Sequence, residues 1–244
     1  MIIILMIISA VAFFISFIYI NKVTPRITFT LISGIVFIFS IIGMVANYHS
    51  HYGMQEVTTT IEKQIYSADT TGAMQIILYE PIGTNGDENI FIYSPDNHSK
   101  KVTHTKVDEF TTNKTEIVNS DTANLKITEV HWKYKSAAYK FWFGIADNDN
   151  KLSKQINTFY LPKTWYLLST SQVKELTQKM SSPEFKKQSK SQATLYIQNK
   201  MKNAIVKNPG WTTNKSKQLE IQKKFANEFQ DQMLKKAIQD IKNK

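Results

Sequence analysis

The chain contains no cysteine, which excludes a disulfide framework, thiolate-based zinc sites and a thiol nucleophile. It has only 8 glycines in 244 residues, too few for a low-complexity stalk. Arg26 is the single arginine among its 30 cations. Because arginine recognises phosphates and bases through paired hydrogen bonds, we expect no specific recognition of nucleic acid.

Acidic residues are absent from residues 1–46, where Lys22 and Arg26 are the only charged side chains. Residues 1–20 and 27–46 are uncharged apolar runs, and ~20 helical residues span a ~30 Å hydrocarbon core. Neither run has the polar stripe of a soluble helix. The first also lacks the basic start and cleavage site of a signal peptide. We therefore predict a transmembrane helical hairpin over residues 1–46.

Small residues recur along both predicted helices at helical spacing, and Pro25 favours a tight turn over residues 21–26. Small side chains on facing stripes let membrane helices approach closely. We expect the hairpin to pack through these positions: Ser9, Ala12 and Ser16 in the first helix, and Ser33, Ser40 and Gly43 in the second.

Charge next to the predicted helices indicates their orientation. The linker carries Lys22 and Arg26, whereas residues 47–62 contain no lysine or arginine. Since cytoplasmic loops are enriched in these cations, we predict a cytoplasmic linker. Both termini and the polar part of this multi-pass, two-span membrane protein are then extracytoplasmic.

Residues 47–168 have the alternation and β-branched content of short strands, at 56–67, 73–81, 89–94 and 123–135, with weaker ones at 101–107 and 114–119. A phase change at Glu129 suggests a β-bulge. Asn85 and Gly86 predict a hairpin turn between the second and third strands. The stretch 157–169 suggests two more strands around Pro162. We expect an antiparallel β-rich domain, a sandwich or a small barrel.

Residues 169–244 predict amphipathic helices at 171–180, from Pro183 to about Val206, and at 216–241. Ser169 or Thr170 can cap the first, and Ser182 the second. These helices either pack on one another or on the sheet, which we favour, or lie on an anionic membrane. The predicted fold class is α+β, with domains at 1–46, 47–168 and 169–244.

Two features have more than one interpretation. His49 and His51 form an H-x-H pair that can ligate a metal if it lies on a strand, but no third ligand is evident, so interfacial histidines are favoured. The aromatic residues at 141–143 either belong to the core or lie against the bilayer, and the core is favoured. We assign no metal and no cofactor.

The sequence holds no recognisable catalytic constellation. A glycine-rich phosphate loop, a nucleophile elbow and a zinc-binding helix motif are all missing in a suitable context. Pairs of acids such as Asp87 with Glu88 lie in predicted turns, and a carboxylate pair for glycoside hydrolysis cannot be identified without a distance. We therefore assign no catalytic residue and favour a non-catalytic protein.

Three stretches together resemble a known family: "YGMQEVTTT" (52–60), "LYEPIGTNGDENIFIY" (78–93) and "NTFYLPKTW" (157–165). The chain resembles small two-helix membrane proteins of lactic-acid bacteria and related Gram-positives, catalogued only as a domain of unknown function. The resemblance covers roughly residues 1–200 and is weakest in the basic C-terminal helix. It implies a Gram-positive cell membrane and supplies no activity or ligand.

Charge along the chain suggests a function class. Residues 48–150 carry 9 lysines against 14 acids, and residues 151–244 carry 19 lysines against 6 acids. A basic segment outside the cell would meet anionic wall polymers and lipid headgroups. We expect a non-catalytic envelope protein that binds such a polymer, a lipid surface or a membrane partner. The alternatives are an accessory subunit of a membrane complex and an envelope enzyme that acts on wall material.

Overall fold

The computed structural model describes residues 1–69, 74–83, 88–97 and 101–243. The chain divides into two compact units. Unit 1 comprises Met1–Gln75 and Ile90–Trp165, and unit 2 comprises Ile76–Asn89 and Tyr166–Lys244.

Unit 1 begins with two apolar helices, α1 (Ile2–Tyr19) and α2 (Val23–Ser50), each long and apolar enough to cross a membrane. The predicted apolar run covers residues 27–46, and α2 extends beyond it at both ends. Pro25 lies in the first turn of α2. Backbone N–H groups in a first turn have no acceptor within the helix, so proline costs no hydrogen bond there. The turn predicted at 21–26 is therefore shorter than expected.

The two helices bury mainly serine and asparagine side chains at intervals of seven residues. The buried positions are Ile2, Ser9 and Ser16 in α1, and Ser33, Ser40 and Asn47 in α2. A seven-residue repeat keeps one seam of a helix against its neighbour. Gly34 lies beside the ring of Phe13 and Gly43 beside Ile2, so the helices are antiparallel. Large apolar side chains such as Phe17, 63% exposed, and Phe39, 67% exposed, point away from the seam.

The main sheet of unit 1 has the strand order β1-β6-β7-β5, formed by β1 (Met54–Ile65), β6 (Ala123–Tyr134), β7 (Leu152–Pro162) and β5 (Thr111–Val118). β1 and β6 are antiparallel over their whole length. β6 and β7 are antiparallel from the pair Asn124–Tyr160 to the pair His131–Leu152, whereas β5 and β7 are parallel. The register of β6 against β7 shifts between Val130 and His131, one residue from the bulge expected at Glu129.

The second sheet has the order β4-β3-β2-β8, formed by β4 (Thr103–His104), β3 (Glu88–Tyr93), β2 (Ile76–Ile82) and β8 (Tyr166–Ser169). β3 pairs with β4 antiparallel, and β2 pairs with β8 parallel. The predicted α+β class is confirmed. The sheets are mixed and open, however, so the small-barrel alternative is wrong. Parallel pairs join strands that are distant in sequence, and alternation within a strand does not reveal them.

The packed core of unit 1 lies at one end of its main sheet. Phe159 is fully buried, with its ring centroid 5.0 Å from that of Phe91 and 5.5 Å from that of Tyr93. Leu125, its partner across the β6–β7 pair, is also buried. Tyr134, at the other end of β6, is nine residues away, about 30 Å along a strand. The sheet therefore connects the core with the end of α2.

Unit 2 contains α4 (Thr170–Ser181), α5 (Pro183–Lys207) and α6 (Lys215–Lys242). Ser169 and Gln172 form a capping box at α4, and Ser182 caps α5. α5 and α6 form a helical hairpin around a 3-10 turn at Pro209–Thr212, with the rings of Tyr196 and Phe229 5.5 Å apart. These helices therefore pack on one another, as favoured. The buried stripe of α6 consists of Ile221, Phe229, Ala237, Ile238 and Ile241.

Candidate functional site

The first candidate site is the base of the hairpin, where α1 begins, α2 ends and a short helix, α3 (Ala137–Phe143), packs beside them. The Met1 nitrogen donates hydrogen bonds to the carbonyl oxygens of Phe141 at 2.9 Å and Trp142 at 3.1 Å. These carbonyls belong to the last turn of α3, and carbonyls in a last turn have no N–H partner within their own helix. The contact fixes α3 against the start of α1.

Asn47 ties the end of α2 to the sheet. It is fully buried, and its side-chain amide donates to the carbonyl of Tyr52 at 2.8 Å. Its side-chain oxygen accepts from the Tyr134 hydroxyl at 3.4 Å, and its backbone carbonyl accepts from Asn148 at the same distance. The Phe143 carbonyl lies nearer to the Tyr134 hydroxyl, at 3.0 Å, so the two acceptors share its single proton. Burial raises the pKa of Tyr134, so the hydroxyl keeps its proton.

The chain leaves α2 through a tight left-handed turn. His51, with φ 52°, ends the helix, and Gly53, with φ 80°, follows it. A Cβ on Gly53 would collide with the ring of Tyr139, so this position needs glycine for both its φ and its space. The His51 ring stacks on Trp132 with centroids 4.0 Å apart. His49 lies in α2, so the strand that an H-x-H metal pair requires is not formed.

α3 and the following turn expose a group of large apolar side chains. Phe141 is 58% exposed, Trp142 42% and Ile145 59%, whereas Phe143 is buried. The favoured placement of residues 141–143 in the core is therefore wrong for the first two. The helical period explains this, because neighbouring residues on a helix point in different directions. A groove of about 310 Å³ lies beside them, lined by Ser40 and by apolar residues of α1, α2 and α3.

An ion pair lies on the polar side of α3 and joins it to the segment that follows. Lys140 donates to Asp149, and this hydrogen bond holds the pKa of Asp149 below its usual value and that of Lys140 above its own. Lys151 donates to the side-chain oxygen of Asn148 at 3.0 Å. α3 therefore has an apolar side and a charged side.

The second candidate site lies in unit 2, at the turn between α5 and α6. A groove of about 330 Å³ opens there, and lysines and asparagines line it together with Trp211 and Phe225. Among the residues that the structure describes, no three histidine, aspartate or glutamate side chains are close enough to hold a metal.

The predicted packing residues have different surroundings. Ser9, Ser16, Ser33 and Ser40 are buried, each with less than a tenth of its surface exposed. Their hydroxyls donate within their own helix where the structure records a bond, as from Ser40 to the Val36 carbonyl at 2.8 Å. Ala12 and Gly43 are half-buried.

Of the other predicted residues, Lys22 precedes the first turn of α2 and is exposed, and Arg26 lies one turn into the helix. Both lie at the opposite end of the hairpin from α3. The predicted turn at Asn85 and Gly86 falls outside the described residues.

Sequence reasoning did not single out Asn47 or Gly53, and it gave residues 141–143 lying against the bilayer only as the less favoured alternative. A signal for Asn47 exists: it continues the seven-residue series of Ser33 and Ser40. Nothing local in the sequence reveals that Gly53 faces Tyr139, because the two residues are 86 positions apart.

Comparison with known proteins gives one match. A family model with the description "Domain of unknown function (DUF4811)" matches residues 22–176. No curated protein and no solved structure matches the chain.

Proposed function

Because the chain belongs to the family described as a domain of unknown function (DUF4811), which supplies no activity, we propose its function from geometry and charge. It is a non-catalytic cell-envelope protein. The α1–α2 hairpin anchors it in the membrane, α3 sits at the outer surface of the bilayer, and the lysine-rich helices of unit 2 bind an anionic polymer of the envelope.

The arrangement of side chains on α1 and α2 supports the membrane anchor. Serines and Asn47 face the seam, and phenylalanines and isoleucines face outward. In water this arrangement would cost about 25 cal/mol for each Å² of exposed apolar surface, whereas lipid removes that cost. α1 is about 27 Å long and α2 about 42 Å, so the last turns of α2 extend beyond a ~30 Å hydrocarbon core.

The observation that carries the proposal is the contact between Met1 and the end of α3. It brings Phe141, Trp142 and Ile145 to the base of the hairpin, where a membrane-spanning α1 would begin. Tryptophan concentrates at this depth of a bilayer, because its ring combines an apolar body with a polar N–H, and Phe141 and Ile145 add apolar surface beside Trp142. α3 thus acts as an interfacial anchor beside the two spans.

Orientation follows from the two cations at the other end of the hairpin. Lys22 and Arg26 favour the cytoplasm for the turn, so the base of the hairpin and α3 lie outside the cell. Within the described residues, no third helix is long and apolar enough to return the chain through the membrane. Both units then lie on the outer side.

The lysine-rich end of the chain supports the binding of an anionic polymer. Residues 151–244 carry 19 lysines against 6 acids. A lysine near an anionic surface contributes about 1 kcal/mol and acts within a Debye length of ~8 Å. Several lysines acting together are enough to retain the chain on such a polymer.

Fluorescence quenching tests the interfacial anchor. The full chain is reconstituted in phosphatidylcholine vesicles with lipids brominated near the headgroup. We expect these lipids to quench a part of the tryptophan emission that disappears in Trp142→Phe and persists in Trp165→Phe. Equal quenching of the wild type and Trp142→Phe would contradict the anchor.

Sedimentation tests the binding function. The full chain in phosphatidylcholine nanodiscs is mixed with purified cell walls of a Gram-positive host at increasing salt. We expect the chain to sediment with the walls at low salt and to be released as salt rises. Absence of binding at low salt would contradict the function and leave the membrane anchor unaffected.

A further inference from the structure

The groove between α5 and α6 concentrates positive charge beside aromatic rings. We call it the basic groove and define it by Lys200, Lys207 and Lys224 together with Asn208, Trp211 and Phe225. Its volume of about 330 Å³ is that of a small-ligand site. All its residues belong to unit 2.

The shape of the basic groove follows from how the local sequence ends α5. Asn208 precedes Pro209, and a residue before proline is disfavoured in a helix. The chain then makes a 3-10 turn, and the side chain of Gln218 donates to the carbonyls of Trp211 and Thr212, each at 2.8 Å. These bonds hold the 3-10 turn against the start of α6, so that half-buried Trp211 lines the groove.

The three lysines of the basic groove are not equivalent. The Lys200 ammonium lies 5.3 Å from the centroid of the Tyr196 ring and 5.8 Å from that of Phe225, and 3.8 Å from a carboxylate oxygen of Glu228. Lys207 and Lys224 are exposed, and neither forms an ion pair within the described part of the chain. Two positive charges therefore face the groove without a compensating acid.

We propose that the basic groove binds a phosphodiester unit of an anionic polymer, with Lys207 and Lys224 on the phosphate oxygens. This inference rests on the proposed function and assigns its binding to one place. Lysine binds phosphate as a point charge that adjusts its direction. Trp211 and Phe225 supply an apolar wall for the carbon skeleton between successive phosphates. Asn208 adds a neutral polar group beside the phosphate.

Chemistry favours a phosphodiester over other anions. The groove pairs flexible ammonium groups, which bind phosphate as point charges, with the aromatic rings of Trp211 and Phe225. A polymer that alternates phosphate with a short carbon segment presents both charge and apolar surface. A polycarboxylate with the same charge therefore serves as the control ligand.

Calorimetry with the full chain in phosphatidylcholine nanodiscs tests the proposal. The probe is a synthetic glycerol phosphate oligomer, with oligoglutamate of equal charge as control and phosphatidylglycerol vesicles as a separate arm. The groove variant is Lys207→Gln/Lys224→Gln. The matched control is Lys186→Gln/Lys187→Gln, which removes the same charge from the other end of α5, about 30 Å away.

We expect the groove variant to bind the oligomer about tenfold more weakly or worse, and the control variant to change the affinity less than about twofold. Trp211→Phe should abolish the change in tryptophan emission that the oligomer causes, which locates the ligand even if the lysine variant folds poorly. Equal weakening by both lysine variants would overturn the proposal, and the polymer-binding function would stand as diffuse attraction.

Three further outcomes are decisive. Oligoglutamate binding as tightly as the glycerol phosphate oligomer would overturn the phosphodiester assignment. Loss of vesicle binding in the groove variant, with no binding of the oligomer by the wild type, would overturn the polymer as ligand in favour of a lipid headgroup. Absence of binding to every probe by the wild type would overturn both this inference and the binding function.

Discussion

Single residues at the base of the hairpin connect α2 with the sheet. Asn47 is the last buried residue of α2, and it donates a hydrogen bond to the Tyr52 carbonyl. Gly53 lies in the turn between α2 and β1, beside Tyr139. Asp149 pairs with Lys140 on the polar side of α3. Because these groups belong to segments far apart in sequence, changes at them test whether the helices and the sheet form one folded unit.

Gly53→Ala tests the tight turn after α2. Alanine at φ 80° is strained, and its Cβ collides with the Tyr139 ring, so we expect the free energy of unfolding to fall by about 2 kcal/mol or more. In Gly53→Ala/Tyr139→Ala the collision is absent, so the loss should be smaller than the sum of the two single losses. Chemical unfolding of the full chain in detergent measures this.

Gly210→Ala is the control for that variant, because its Cβ would meet no atom within 4 Å. We expect it to leave the free energy of unfolding nearly unchanged. Losses that add up in the double variant would show that Tyr139 does not restrict this turn.

Lys140→Gln tests the ion pair of α3. The hydrogen bond from Lys140 is the largest cause of the lowered pKa of Asp149, so we expect this pKa to rise toward 3.8 in the variant. A carboxylate with a lowered pKa stabilises the folded state above the unfolded-state pKa, and this stabilisation is lost as pH falls through the folded-state pKa. The wild type should therefore exceed the variant in stability at neutral pH and lose that advantage in strong acid.

Carboxyl NMR titration and thermal unfolding at several pH values measure these two effects, with Lys106→Gln as a distant control. An unchanged Asp149 pKa in Lys140→Gln would rule out this pair as its cause.

At the scale of elements, periodicity and capping signals predicted most helices and strands. Ser169 and Ser182 begin α4 and α5, and the register shift between β6 and β7 lies one residue from Glu129, although the unpaired residue, Ser153, belongs to β7. α3 was not predicted, because seven residues with aromatic side chains show neither a helical nor a strand period clearly. The parallel pairing of β5 with β7 also escaped prediction, because strand partners are chosen by tertiary packing.

Ser40→Leu and Ser40→Ala test the seam of the hairpin. Leucine at this buried position must push α1 and α2 apart, so we expect the hairpin to lose about 1–3 kcal/mol of stability. Alanine keeps the small size and removes only a bond within α2, to the Val36 carbonyl, so its effect should be much smaller. Thermal unfolding in detergent compares the two variants. If alanine were as damaging as leucine, the hydroxyl and not the size of Ser40 would hold the seam.

At the scale of the whole molecule, the resemblance to a family of unknown function is confirmed over residues 22–176, less than the roughly 1–200 expected. The division into two units was not predictable, because β2 lies in the chain between the two segments of unit 1 and yet groups with the C-terminal helices. Composition alone reveals the two uncharged runs near the N-terminus and the basic segment at residues 151–244. They do not identify a ligand, since the three lysines of the basic groove come together only when α5 and α6 pack.

The orientation of the hairpin is the claim on which the proposed function depends most. The natural absence of cysteine allows single cysteines to be labelled without background. A membrane-impermeant maleimide is applied to intact cells of a Gram-positive host that express Asn21→Cys, Thr60→Cys or Lys187→Cys, all exposed positions. We expect labelling of positions 60 and 187 in intact cells, and of position 21 only after permeabilisation. Labelling of position 21 in intact cells, with protection of the other two, would contradict the predicted orientation.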